Sequence, residues 1–303
     1  MKILELIQNR FWIPVSLSLV LALLLPSIDK KFSFLAIIFV MINFFLASLK
    51  IDFFDIVNHI KKPLFIAYVL TIYLLLIPSI TYLLFHFISP ELAIGMLLLT
   101  AMPPGASVPM LTNIFKGNTS LSMAITIIAY LISPFTILLL FFVLTQKVLA
   151  LDLASLFQTL VLINFLPLII AQTIRKLNKK LIEKTQKYYS SIGVFGICAV
   201  VFFSVSQQKK EILHTSLSTL LIDIVWLYFI FILLYFVNYF IAFWRNKSDK
   251  TAITVTKTYM NNGLALGVAV SFFNPQVAFL MVLSEIPWST TLGLFRYLLK
   301  YLK

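Results

Sequence analysis

Ten stretches of this chain, each about 17 to 28 residues long, run almost without charge. They fall at roughly 11–28, 32–49, 63–87, 91–113, 119–146, 151–175, 190–206, 217–243, 251–273 and 275–299. An α-helix rises about 1.5 Å per residue, so about 20 apolar residues cross the roughly 30 Å hydrocarbon core of a bilayer. In lipid, every backbone N–H and C=O must be satisfied internally, which restricts spanning structures to helices and closed barrels. Barrel strands alternate in polarity, and these segments do not. The chain therefore reads as an all-α integral membrane protein with ten transmembrane helices. Composition agrees: 61% of the residues are hydrophobic and 12% charged, with the charges gathered between the runs.

The net charge of +13 raises nucleic acid as a partner. Membrane topology accounts for it better, because lysine and arginine crowd cytoplasmic loops. With ten spans both termini share one side, together with the even-numbered loops. That side takes 18 basic residues, including Lys2, Arg10 and the run 175–187, and the other side takes five, including Lys30 and Lys209. The reading is a multi-pass protein of the cell (inner or plasma) membrane with cytoplasmic termini, lipid for surroundings and no nucleic-acid partner. Lys2 and Arg10 before an apolar stretch resemble a signal peptide, but Pro14, Pro26 and the lack of a small-residue cleavage pattern make it the first span. The lone Cys198 excludes a disulfide framework and a cysteine-based metal site. His59, His86 and His214 lie near segment ends and read as interfacial side chains.

The basic loop "RKLNKKLIEKTQK" (175–187) separates two halves of five helices, 1–149 and 150–303. An odd number of helices per half makes the halves enter the membrane from opposite sides, as inverted repeats. The fourth span of each half is interrupted. In the first half the break is in "LLTAMPPGASVPMLTNIFKG" (98–117), with Pro103, Pro104 and Gly105. In the second it is in "TVTKTYMNNGLALGV" (254–268), with Asn261, Asn262 and Gly263. A proline kink with no ligand explains either one alone. Interruptions at corresponding positions of inverted halves point to a transporter binding site, and irregular backbone at that depth is tolerated where it is buried or lines a cavity.

These residues resemble the bile acid:sodium symporter family. "MPPGASVPMLTNIFKGNTSLSMAITIIAYLISPF" (102–135) is similar to that family's fourth and fifth helices, and "TVTKTYMNNGLALGVAVSFFNP" (254–275) to its ninth. The resemblance implies a core of helices 3–5 and 8–10, with broken helices 4 and 9 crossing, against a panel of helices 1, 2, 6 and 7. It also implies two sodium ions held by oxygen ligands near the crossing. Here the family's Ser-Asn pair falls on Val108 and Pro109, its glutamate on Thr256 and its glutamine on Met260, while Ser122 and Thr126 keep hydroxyls. A hard cation needs several oxygens, usually with a carboxylate. Their joint loss predicts no sodium coupling of the family's form, and no other cofactor or metal is expected.

Lys257 adjoins the lost glutamate position. Its ammonium is a monovalent cation on a tether, and its three donors suit Ser122, Thr126 and the carbonyls freed by unwound helices. The C-terminal ends of half-helices favour such a charge. The competing reading is a lysine that snorkels to the membrane surface, seven residues from Lys250. Glu285 lies near mid-membrane and is a possible proton carrier, alone or paired with Lys257, since intramembrane carboxylates are costly and tend to be functional. A protonated structural carboxyl is its plainer role. Asp223 reads as interfacial, and Asn43 and Asn164 are candidates to face a cavity.

The half-helix N-termini near Gly105–Ser107 and Asn262–Leu264 attract anions. Pro104, Gly105, Ala106, Ser107, Asn261, Asn262 and Gly263 are therefore the expected substrate-binding set. The expected activity is secondary transport of small to medium organic carboxylates, bile-acid-like ones among them, by alternating access and without sodium. Auxin-type proton-driven efflux and arsenite export are the alternatives. The arsenite carriers hold a cysteine where "TAMPPGAS" has none. "DFFD" (52–55) has the spacing of half a prenyl-transferase metal site but no second pair, so no enzyme is expected. A retinal receptor, which also needs a buried lysine, does not fit ten spans with two breaks.

Overall fold

A computed structural model describes residues 12–32, 34–49, 63–105, 107–145, 152–207, 209–214 and 216–301. Ala106, His59 and the DFFD segment, all singled out above, lie outside the described residues. The described residues are helical with no strand, apart from one isolated backbone bridge. In chain order the helices are α1 (Trp12–Leu24), α2 (Phe34–Leu49), α3 (Pro63–His86), α4 (Pro90–Ala101), α5 (Val108–Ile114) and α6 (Thr119–Thr145). They continue with α7 (Leu153–Leu177), α8 (Lys179–Gln207), α9 (Lys209–His214), α10 (Leu217–Phe240), α11 (Lys247–Thr258), α12 (Asn262–Phe272) and α13 (Pro275–Leu298).

Helices α3, α6, α7, α10 and α13 are 24 to 27 residues long and apolar enough to cross a membrane. At 1.5 Å per residue they reach about 36–40 Å. Helix α8 makes a sixth span when its two parts, meeting at a bend of 56°, count as one. Helices α1, α2, α4 and α12 are apolar and shorter. The runs expected at 91–113 and 251–273 are each divided, into α4 with α5 and α11 with α12.

Backbone proximity divides the chain into two units. The first comprises Met1–Phe53, Leu151–His214 and Gly263–Val282. Within it α2 packs against α7 and α8, and α1 against α8. A core of Leu46, Leu49, Ala171, Ile182 and Tyr189 joins α2, α7 and α8. Asn43 lies against the glycine face of α8. A Cβ on Gly196 would come within 2.5 Å of its side-chain nitrogen, so any larger residue there would displace the Asn43 amide. Gln172 and Arg175 donate to the carbonyls of Ser48 and Leu49, both at 2.9 Å, closing the end of α2. Asn164 is buried on α7, and neither end of its amide has a hydrogen-bond partner.

The second unit comprises Phe54–Ala150, Thr215–Asn262 and Leu283–Lys303. Here α3 packs on α4, α5 on α6, and α11 on α5, α6 and α10. Ser89 begins α4, its hydroxyl accepting from the Leu92 N–H, with Pro90 in the first turn where a missing N–H costs nothing. Asn246 caps α11 in the same way through the Asp249 N–H at 2.8 Å. Asp249 is buried, pairs with Arg245 and accepts from the Asn118 amide at 2.8 Å. The Asn118 N–H donates in turn to the Ser248 carbonyl at 2.9 Å. The turn between α5 and α6 is thereby fixed to the start of α11.

Candidate functional site

The two interrupted spans meet at their interruptions. Helix α4 ends at Ala101, where the consecutive Pro103 and Pro104 have no N–H with which to continue it. Helix α11 ends at Thr258. The extended residues beyond each helix pair as an antiparallel bridge between Pro104 and Met260. The Gly105 N–H donates to the Tyr259 carbonyl at 2.8 Å, and the Asn261 N–H to the Pro103 carbonyl at 2.9 Å. Backbone groups freed by one break thus satisfy those freed by the other, which is what lets both lie in an apolar interior. Gly105 allows the approach: a Cβ there would lie 3.2 Å from the Tyr259 oxygen and 3.3 Å from that of Met260. The Met260 carbonyl also accepts from the Trp288 indole at 3.2 Å.

Lys257 stands one turn before this crossing and is only 2% exposed. Its ammonium donates to the Tyr73 carbonyl at 2.7 Å and to the Thr100 carbonyl. Thr100 lies in the last turn of α4, where carbonyls lack helical partners and the helix dipole is negative. The Tyr73 ring lies 5.8 Å from the ammonium, and its hydroxyl donates to the Ile253 carbonyl, one turn earlier on α11. A buried ammonium without such partners would cost far more than a hydrogen bond returns. Neither of its bonds goes to Ser122 or Thr126, and no ion pair joins it to Glu285.

The expected hydroxyls form a separate cluster. Ser122 accepts from Thr112 at 3.0 Å and from Thr256 at 3.3 Å, joining α6, α5 and α11. The Thr126 and Thr258 hydroxyls are buried with no hydrogen-bond partner. Val108, at the lost Ser-Asn position, belongs to an apolar cluster with Leu111, Tyr235, Val255, Tyr259 and Phe295. The donor set near Thr256 is thus hydroxyls and apolar side chains, with no carboxylate on the residues that form it. That is a poor fit to a hard cation.

The described residues of the substrate set lie at or beside the bridge. Pro104 and Gly105 are buried in it, Ser107 precedes α5, and Asn261 donates to the Tyr130 hydroxyl at 3.0 Å. Asn262 opens α12. Its amide donates to Ser284 at 2.8 Å, while its carbonyl oxygen is buried with no partner. Gly263 lies inside α12, so the break falls at Tyr259–Asn261, slightly before the glycine. Glu285 is half-buried on α13, next to Ser284, and Asp223 is half-buried early in α10. Tyr73, Thr100, Tyr130 and Trp288 escaped the sequence reading. Their only sequence signals are a polar residue at the end of an apolar run (Thr100) and aromatic residues among many.

The sequence pattern of the SBF-like CPA transporter family matches residues 9–284. An uncharacterized sodium-dependent transporter of Bacillus subtilis (strain 168), YocS, is 26% identical over 282 residues, covering 90% of this chain and 85% of that protein. The matched range takes in both interrupted spans, with Lys257 in the second, and most of the apolar runs. This chain belongs to the SBF-like CPA transporter family, a group of multi-pass membrane transporters similar to the bile acid:sodium symporters, and not to an enzyme family.

Proposed function

We propose that the protein is a secondary transporter of small to medium organic anions that works by alternating access without sodium, Lys257 standing where relatives hold a free cation. The observation that carries this reading is the buried Lys257 ammonium on two backbone carbonyls, one at the negative end of α4. A fixed positive charge at the crossing supplies what a bound ion would supply. It neutralises the Tyr73 and Thr100 carbonyls and leaves a positive field for a carboxylate. The start of α12 at Asn262 and the side-chain amides of Asn261 and Asn262 supply polar groups nearby. The reading includes ten spans in two inverted halves, 1–149 and 150–303, with cytoplasmic termini. Placing α3–α6, α10 and α11 in one unit and α1, α2, α7 and α8 in the other fits a core-and-panel division, whereas Gly263–Val282, which covers nearly all of α12 and the start of α13, groups with the second set.

The name of the B. subtilis relative favours a second reading, sodium-dependent transport, with Ser122 and Thr256 as remnants of its site. Uptake of a panel of labelled carboxylates into proteoliposomes separates the two. The proposal expects equal uptake in sodium and potassium media, for carboxylates but not for their amides. Uptake that needs sodium in the external medium contradicts it. Acceleration by a proton gradient, lost in Glu285→Gln, would assign the coupling to Glu285.

A further inference from the structure

The two carbonyls that hold Lys257 are available for a common reason: proline stands where each one's backbone donor would be. In an α-helix the carbonyl of residue i accepts from the N–H of residue i+4. For Thr100 that residue is Pro104, which has no N–H. Tyr73 lies in the π-turn Ile72–Leu76, and its i+4 donor, the Ile77 N–H, is taken by the Ile72 carbonyl. The wider π spacing would next pair Tyr73 with residue i+5, which is Pro78. A one-residue shift in register and one proline together leave the Tyr73 carbonyl with no backbone donor, in the middle of a spanning helix.

At one other proline the orphan is closed locally. Pro134 interrupts α6 and frees the Tyr130 carbonyl, which accepts from the Ser133 hydroxyl at 3.3 Å. Residue 77, next to Pro78, is isoleucine, with no hydroxyl to offer, and the partner comes instead from Lys257, 184 residues away in sequence.

We propose that Pro78, acting through the π-turn and the Tyr73 carbonyl, is a positioning residue for Lys257, and that the Tyr73 and Thr100 carbonyls are a purpose-built ammonium seat. Tyr73 holds α11 at two levels, its carbonyl on Lys257 and its hydroxyl on the Ile253 carbonyl. The inference rests on the reading of Lys257 given above, but its test does not depend on transport.

The test is reductive methylation of the detergent-solubilised protein, with labelling of Lys257 timed by peptide mass spectrometry. Pro78→Ala restores an N–H that competes for the carbonyl and lets the π-turn relax. The expected result is labelling at least about tenfold faster than in wild type, the scale of one hydrogen bond to a charged group. Pro134→Ala, the same change on an orphan closed by serine, should label Lys257 at the wild-type rate. Pro78→Ser restores the same N–H and replaces the alanine variant if that one does not fold. Labelling of Lys257 at an unchanged rate in a folded Pro78 variant overturns the proposal, as does equal acceleration in Pro134→Ala. Uptake in sodium and potassium, measured on the same variants, reports on the cation reading separately. Fast labelling with sodium-dependent wild-type uptake upholds the seat and rejects that reading.

Discussion

At the residue scale, the site turns on how closely two backbones approach. With the Gly105–Tyr259 hydrogen bond at 2.8 Å, a Cβ at 105 would lie 3.2 Å from the Tyr259 oxygen, so the backbone opposite must give way for a side chain to fit. Gly105→Ala is expected to lower stability by about 1–3 kcal/mol, the usual cost of forcing a methyl group into a packed interior. Thermal unfolding in detergent reads this as a lower midpoint. An unchanged midpoint would mean that the bridge yields without cost. The sequence made Gly105, Pro104 and Lys257 legible as candidates because proline, glycine and a lone cation in an apolar run each carry a local physical meaning. It did not make legible what Lys257 touches. Ser122 and Thr126 have the right chemistry, but the ammonium binds carbonyls of Tyr73 and Thr100, whose availability depends on a π-turn. A π-turn is a register shift inside an otherwise uniform apolar helix, and no side-chain pattern announces it.

At the scale of elements, the positions of the half-helices depend on their caps. The breaks were readable from "MPPG" and "NNG", although α12 restarts at Asn262 and takes Gly263 into the helix. An asparagine at the first helical turn is tolerated more readily than the glycine signal suggests. Helix α11 also begins at Lys247, earlier than the apolar run alone implies, because Asn246 caps it and Asp249 is buried in its first turn. Asp249 is only 2% exposed and links Arg245 to Asn118. Asp249→Ala leaves both partners without their acceptor and is expected to cost about 3 kcal/mol, as for a broken buried ion pair. Asp249→Asn, which keeps an acceptor for Asn118, should recover part of that loss. If Asp249→Ala unfolds at the wild-type temperature, the turn between α5 and α6 is not held through this residue.

At the scale of the molecule, hydropathy made the fold class plain, since runs of this length and polarity have few alternatives in water or lipid. Five continuous spans and a bent sixth are helical as expected, and the shorter apolar helices fall where further spans were expected. Family membership agrees with the motif resemblance around the crossing. The remaining question is the source of the positive charge at that crossing in the working protein. In the proposed reading the wild-type chain carries its own in Lys257, whereas a sodium-dependent protein takes one from solution. The most direct measurement is therefore a sodium titration of substrate binding by wild type and Lys257→Ala, with choline replacing sodium at constant ionic strength. Wild-type affinity independent of sodium, with Lys257→Ala weakened by tenfold or more or made cation-dependent, is the predicted result. Equal sodium dependence in both proteins would contradict it, and would make Lys257 a structural residue beside a site that still takes its ion from solution.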